Sequence, residues 1–160
     1  MGKRLQAVFE KTLCDIKEAD GDEDALGVVF EQITQNVLSL PQREVPKGIR
    51  AFFTEWKKRS DALEAQVNLL AETEMSENST EEDARKALDD IDKFVGELKS
   101  FQAWVVASAP ASVPGEIISV FNNSVDAAVF EVKSQVEIMK GLLALTDIFS
   151  VIETKGEDGG

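Results

Sequence analysis

Apolar residues recur three and four positions apart through most of the chain, which is the spacing of one face of an α-helix. Leu5, Val8, Phe9, Leu13 and Ile16 predict a first helix over about residues 3–19. The run Asp20-Gly21-Asp22-Glu23-Asp24 stops it. A second helix follows from Ala25, with Leu26, Val29, Phe30, Ile33, Val37 and Leu40 on one stripe. Pro41 and Pro46 then bracket a short loop, because proline cannot continue a helix and restrains the residue before it.

Three longer periodic stretches come next. The first runs from about Gly48 to Met75, and its stripe is Ile49, Phe52, Phe53, Trp56, Leu63, Val67 and Leu70. Ile49, Trp56, Leu63 and Leu70 repeat every seven residues, the seam spacing of a coiled coil, although Arg59, Ser60 and Gln66 interrupt the intermediate positions. Residues 76–80 form a polar turn. Ser79 or Thr80 followed by Glu81, Glu82 and Asp83 is a good helix start, since a capping hydroxyl and first-turn acids both suit the positive end of the helix dipole. The helix over 81–108 has the cleanest pattern, with Leu88, Ile91, Val95, Leu98, Phe101 and Val105 alternating by three and four. Ala109-Pro110-Ala111-Ser112-Val113-Pro114-Gly115 breaks it. From Glu116 nothing interrupts the last helix until about Lys155. Ile118, Phe121, Val125, Ala128, Val132, Val136, Met139 and Leu143 lie on its one face.

The alternation of a β-strand is absent. The expected fold is therefore all-α: an elongated, antiparallel, coiled-coil-like bundle of about five helices, two short and three long, because short connections make neighbouring helices antiparallel. Residues 1–47 form the N-terminal helical pair, 48–155 the long-helix bundle and 156–160 a disordered tail, within one domain overall. At 43% hydrophobic and 29% charged residues the chain has enough apolar surface for a packed core.

Charge refines this picture. The net charge is −13, and its placement is uneven. Residues 1–60 carry ten basic and ten acidic side chains, whereas 61–100 carry twelve acidic and four basic. Within the balanced part, Arg43, Lys47, Arg50, Lys57, Lys58 and Arg59 form a basic segment interleaved with Phe52, Phe53 and Trp56. Such a mixture suits nucleic acid, phosphate or an anionic partner. The aromatics fall on the apolar stripe, however, and read as core. The basic residues then face the acidic fourth helix, within the chain or in a neighbouring subunit. Nucleic acid is a poor partner for so acidic a chain, because phosphate neutralisation supplies most non-specific affinity.

The chemistry the residues permit is narrow. The chain has no histidine and no tyrosine, which removes the commonest general base and metal ligand. No phosphate-cradling glycine loop and no Gly-x-Ser-x-Gly nucleophile turn occurs. Asp89, Asp90 and Asp92 read as a solvated helix face, so the expectation is a protein that is not an enzyme. One metal pattern stands out. Asp20, Asp22, Asp24 and Glu31 occupy positions 1, 3, 5 and 12 of an EF-hand-like loop between two helices, and could converge on one calcium ion. Against it, Ala25 stands where the loop needs glycine, and Gly27 where an apolar residue pairs with a second loop. The simpler reading is an acidic inter-helix turn, with Asp24 as helix cap and Glu31 in solvent. No cofactor other than calcium is suggested.

Cys14, the only cysteine, sits beside Leu13 and Ile16 and reads as a buried, inert thiol. One unpaired cysteine with no secretory signal points to a cytoplasmic or otherwise intracellular setting. No apolar run is long enough to span a bilayer. Ala7-Val8-Phe9-Glu10, Val28-Val29-Phe30-Glu31 and Ala128-Val129-Phe130-Glu131 echo one another, but at separations that fit no repeat architecture.

Three functions survive. The first is an interaction protein (scaffold, adaptor, assembly factor or chaperone-like) that binds a protein partner, itself, or both. Around Gly141–Ile152 the last helix is apolar on most of its circumference, so Leu142, Leu145, Ile148, Phe149 and Ile152 are its candidate interface. The second is an acidic inhibitor or nucleic-acid mimic that uses the acids of 61–100 against a basic protein surface. The third is a calcium-responsive module built on residues 20–31.

Overall fold

The computed structural model describes residues 2–72 and 81–158, with side chains through residue 70 and from 81 to 145. Five α-helices follow one another: α1 (Lys3–Ala19), α2 (Glu23–Leu38), α3 (Lys47–Glu72), α4 (Glu81–Ser108) and α5 (Gly115–Asp158). No strand occurs among the described residues. The fold is an all-α bundle, in which each helix packs on the next and α1 and α2 close back on α5.

Local chemistry explains the corners. Between α1 and α2 only Asp20, Gly21 and Asp22 are non-helical, with Asp20 and Gly21 at φ of 45° and 81°. Glycine takes that conformation freely and aspartate is among the residues that tolerate it. Asp22, rather than Asp24, caps α2: its Oδ1 accepts the Asp24 amide at 3.1 Å. The α2–α3 loop contains a single 3-10 turn over Gln42–Glu44, and Val45 plugs the core beneath it. In the α4–α5 loop Val113 plays the same part, its amide donating to the Pro110 carbonyl at 3.0 Å.

The antiparallel pairing of α4 and α5 is visible at both ends. The Gln102 amide donates to Asn122 Oδ1 and Asp126 Oδ1, each at 2.8 Å, and to the Asn122 carbonyl at 3.0 Å. Toward the other end Arg85 and Leu88 share a groove with Lys140 and Leu143. At 44 residues α5 is roughly 66 Å long at 1.5 Å per residue. It continues through Asp158, over part of the segment expected to be a tail. A single helical glycine such as Gly156 costs only about 1 kcal/mol, too little to end a helix of this length. No described helix is long and apolar enough to cross a membrane.

One continuous core runs from Leu5 on α1 to Val129 on α5 and draws on all five helices. Its centre is aromatic. The Trp56 ring on α3 lies 4.7–6.3 Å, centroid to centroid, from Phe30 of α2, Phe52 and Phe53 of its own helix, Phe101 of α4 and Phe121 of α5. Phe9 extends the cluster to α1 through Phe53. Most of these pairs are tilted or edge-to-face, the arrangements that ring quadrupoles favour. Ala84, Leu88 and Val136 are buried outside the continuous core, so the α4–α5 pair is packed more thinly there.

Candidate functional site

The sequence-predicted residues are not gathered into one place. Asp24 and Glu31 belong to α2, two turns apart, while Asp20 ends α1 and Asp22 caps α2. A calcium loop of that spacing needs twelve residues of loop, and here three suffice to turn the chain. Among the described residues no group of three or more acidic or cysteine side chains is placed to hold a metal ion.

The basic segment is likewise dispersed. Arg50 turns back to give its Nη2 to the Leu40 carbonyl at 2.9 Å, satisfying a carbonyl left over just past the end of α2. Lys57 Nζ pairs with Asp61 at 2.7 Å and Arg59 Nε with Glu55 at 3.0 Å, both one helical turn away. The Arg59 guanidinium also lies over the Trp104 ring, 4.8 Å from its centroid, so it meets α4 through an aromatic face rather than through acids. Arg43, Lys47 and Lys58 are exposed. Phe52, Phe53 and Trp56 are core, as their stripe implied.

Cys14 is exposed, contrary to the expectation. The buried face of α1 is Leu5, Phe9, Thr12 and Ile16. Thr12 takes the inward position because its hydroxyl donates to the Val8 carbonyl at 2.8 Å, which removes the cost of burying it. The like-charged Lys99 and Lys133 face each other between α4 and α5, and contact with Lys133 holds the Lys99 ammonium below its ordinary pKa of 10.5.

Two features stand out. The first is a cleft of about 310 Å³ between α2 and α3. Phe30, Trp56, Phe101 and Phe121 line it from four helices, and Glu31, Lys57, Asp61 and Glu64 line it as well. The Lys57 pKa is raised, first by its hydrogen bond to Asp61 and the Asp61 charge, then by Glu31 and Glu64. Nothing in the linear pattern announces this cleft, because its walls meet only in the folded bundle.

The second is the outer face of α5. Its buried face is Ile117, Phe121, Val125, Val129 and Val136, with Ile118 and Val132 partly covered. Ile117 and Val129 join the expected stripe because α1 and α2 press on this half of α5 in addition to α4. Beyond them, Phe130 is 74% exposed, Ile138 64%, Leu142 59% and Leu145 51%. At 3.6 residues per turn these four fall within an arc of about 120°, turned away from the core-facing side chains. The side chains of Ile148, Phe149 and Ile152, the rest of the candidate interface, lie outside the described residues. Phe130 is the one phenylalanine of the three echoed segments that is exposed; Phe9 and Phe30 are buried.

The acids of α4 make no unbroken negative surface among the described residues. Arg85, Lys86, Lys93 and Lys99 are interspersed with them, and Arg85 pairs with Glu81 at 2.7 Å. Comparison of the chain with family models, with curated proteins and with solved structures finds no match.

Proposed function

We infer that the chain is a non-enzymatic interaction protein, a helical bundle that acts through protein–protein contacts and associates with itself. The observation that carries this reading is the second apolar face of α5. Monomeric proteins rarely leave large contiguous apolar patches in water, and those that exist are usually contact surfaces. The four exposed side chains on one arc of α5 retain about 4–7 kcal/mol of unrealised burial, taking 1.5–3 kcal/mol for each side chain fully buried and scaling by its exposure. Association costs about 4–15 kcal/mol in lost freedom, so these four alone support only weak binding. The spacing of Ile148, Phe149 and Ile152 continues the same stripe in the sequence, so an interface using both stretches would draw on more apolar surface than these four alone.

Replacing Ile138 and Leu142 by glutamate tests this reading. Both are exposed on the outer arc, so the folded bundle tolerates the charges while an apolar interface does not. Analytical ultracentrifugation should show the wild type associating with rising concentration and the variant remaining monomeric, with unchanged helicity. A variant that associates like the wild type places the contact elsewhere.

A further inference from the structure

The cleft between α2 and α3 pairs an aromatic floor with an acidic rim. Three carboxylates, Glu31, Asp61 and Glu64, stand against one cation, Lys57. Only Asp61 is tied to that cation, at 2.7 Å. Glu31 receives just a long contact from the Gln35 amide, 3.5 Å, and Glu64 has no ion-pair partner among the described residues. Both nevertheless favour the protonated form of Lys57, so a positive charge at the mouth of the cleft lies within their field. Of the uncharged polar side chains in the lining, Thr34, Gln35 and Ser60, the buried Thr34 hydroxyl is spent on the Phe30 carbonyl at 3.1 Å. The mouth is also open. Gly27 lines it, and a Cβ built there meets nothing within 4 Å.

From this geometry we propose that the cleft is a docking site for a basic amphipathic peptide segment of a partner protein. An apolar side chain of that segment enters over Phe30, Trp56, Phe101 and Phe121, and an adjacent Lys or Arg is held by Glu31 and Glu64. Charge complementarity selects this occupant. The rim is negative by two charges over an apolar floor, which is the mirror of an apolar side chain beside a cation. A volume of about 310 Å³ lies at the small end of ligand pockets and accommodates one or two side chains rather than a whole cofactor. The site uses the inner part of the bundle and does not depend on the outer face of α5.

The test is a titration of the full chain with a short amphipathic Leu/Lys peptide, followed by tryptophan fluorescence and calorimetry. Three variants accompany it: Glu31→Gln with Glu64→Gln, Glu82→Gln with Asp89→Gln, and Gly27→Phe. The first two remove the same charge, one pair from the cleft and the other from the exposed face of α4. Saturable binding should weaken at least about tenfold in the cleft pair, the loss of one to two charge-assisted contacts, and stay within about twofold of wild type in the α4 pair. Gly27→Phe should keep its helicity and lose binding, because the new ring fills the open mouth. Equal weakening in the two pairs would reduce the effect to general attraction by an acidic protein and overturn the proposal. So would a wild type that does not bind the peptide. Phenethylamine binding as tightly as the peptide would also overturn it, by making the site one for a small organic cation. If Gly27→Phe does not fold, the two charge pairs decide alone.

Discussion

Truncating Trp56 to alanine removes the ring on which four helices converge. Trp56 is 2% exposed, and five phenylalanine rings lie within 6.3 Å of its centroid. Loss of a buried large aromatic typically costs about 3–5 kcal/mol in transfer and cavity terms. The upper half of that range applies here, because the neighbours belong to α2, α4 and α5 and cannot collapse onto α3 without moving whole helices. A domain of this size has roughly 5–15 kcal/mol to lose, so the variant should remain folded but fragile. Urea unfolding followed by far-ultraviolet circular dichroism measures this directly. With a slope of about 2 kcal/mol per molar urea, the midpoint should fall by about 2 M at constant slope, and the melting temperature by about 10 °C. Phe130→Ala supplies the contrast. Phe130 is 74% exposed, and its truncation should change the stability of the dilute monomer by less than about 0.5 kcal/mol. A Trp56→Ala variant within about 1 kcal/mol of wild type would refute the claim that the aromatic cluster joins the helices.

Three further outcomes follow from single contacts. Asp22→Ala removes the side-chain cap of α2 and should cost about 1 kcal/mol by chemical denaturation, whereas Asp24→Ala, which makes no cap, should cost clearly less. Gln102→Leu deletes the polar staple to Asn122 and Asp126 between α4 and α5 and should destabilise by about 1–2 kcal/mol, with amide exchange rising first near Asn122. Lys133→Gln should raise the melting temperature slightly at neutral pH. Lys99 has a folded pKa below 10.5, so its charged form costs stability at lower pH, and that cost fades as pH rises through the folded value. Calorimetry should therefore find the gain shrinking in alkaline solution. The raised pKa of Lys57 acts oppositely, its contribution being lost only above about pH 10.5.

How far the sequence reveals the fold depends on how local the cause is. The bounds of α4 are read correctly because an acidic first turn and a proline-rich break act within a few residues. Of the apolar surplus expected around 141–152, Leu142 and Leu145 are exposed, since a helix with apolar residues on both sides must present one of them outward. At the α1–α2 turn the acidic inter-helix reading with Glu31 in solvent is legible, but the cap is not: helix α2 starts at Glu23, so Asp22 rather than Asp24 takes that place. Cys14 against Thr12 shows a narrower failure: a threonine that bonds its own helix backbone competes for a buried position on equal terms with an apolar neighbour. The cleft needs Gly27, Glu31, Trp56, Glu64, Phe101 and Phe121 from four helices, and no periodicity within one helix encodes that meeting.

Whether the outer face of α5 is a contact surface is decided by the solution mass of the unmodified chain. Size-exclusion chromatography with light scattering and small-angle X-ray scattering, over a range of concentrations, gives mass and shape together. Self-association through this face gives a mass that rises from 17.5 kDa toward twice that value or more, with an elongated profile. A mass that stays at 17.5 kDa at every concentration, with the profile of an isolated bundle, would contradict self-association through this face.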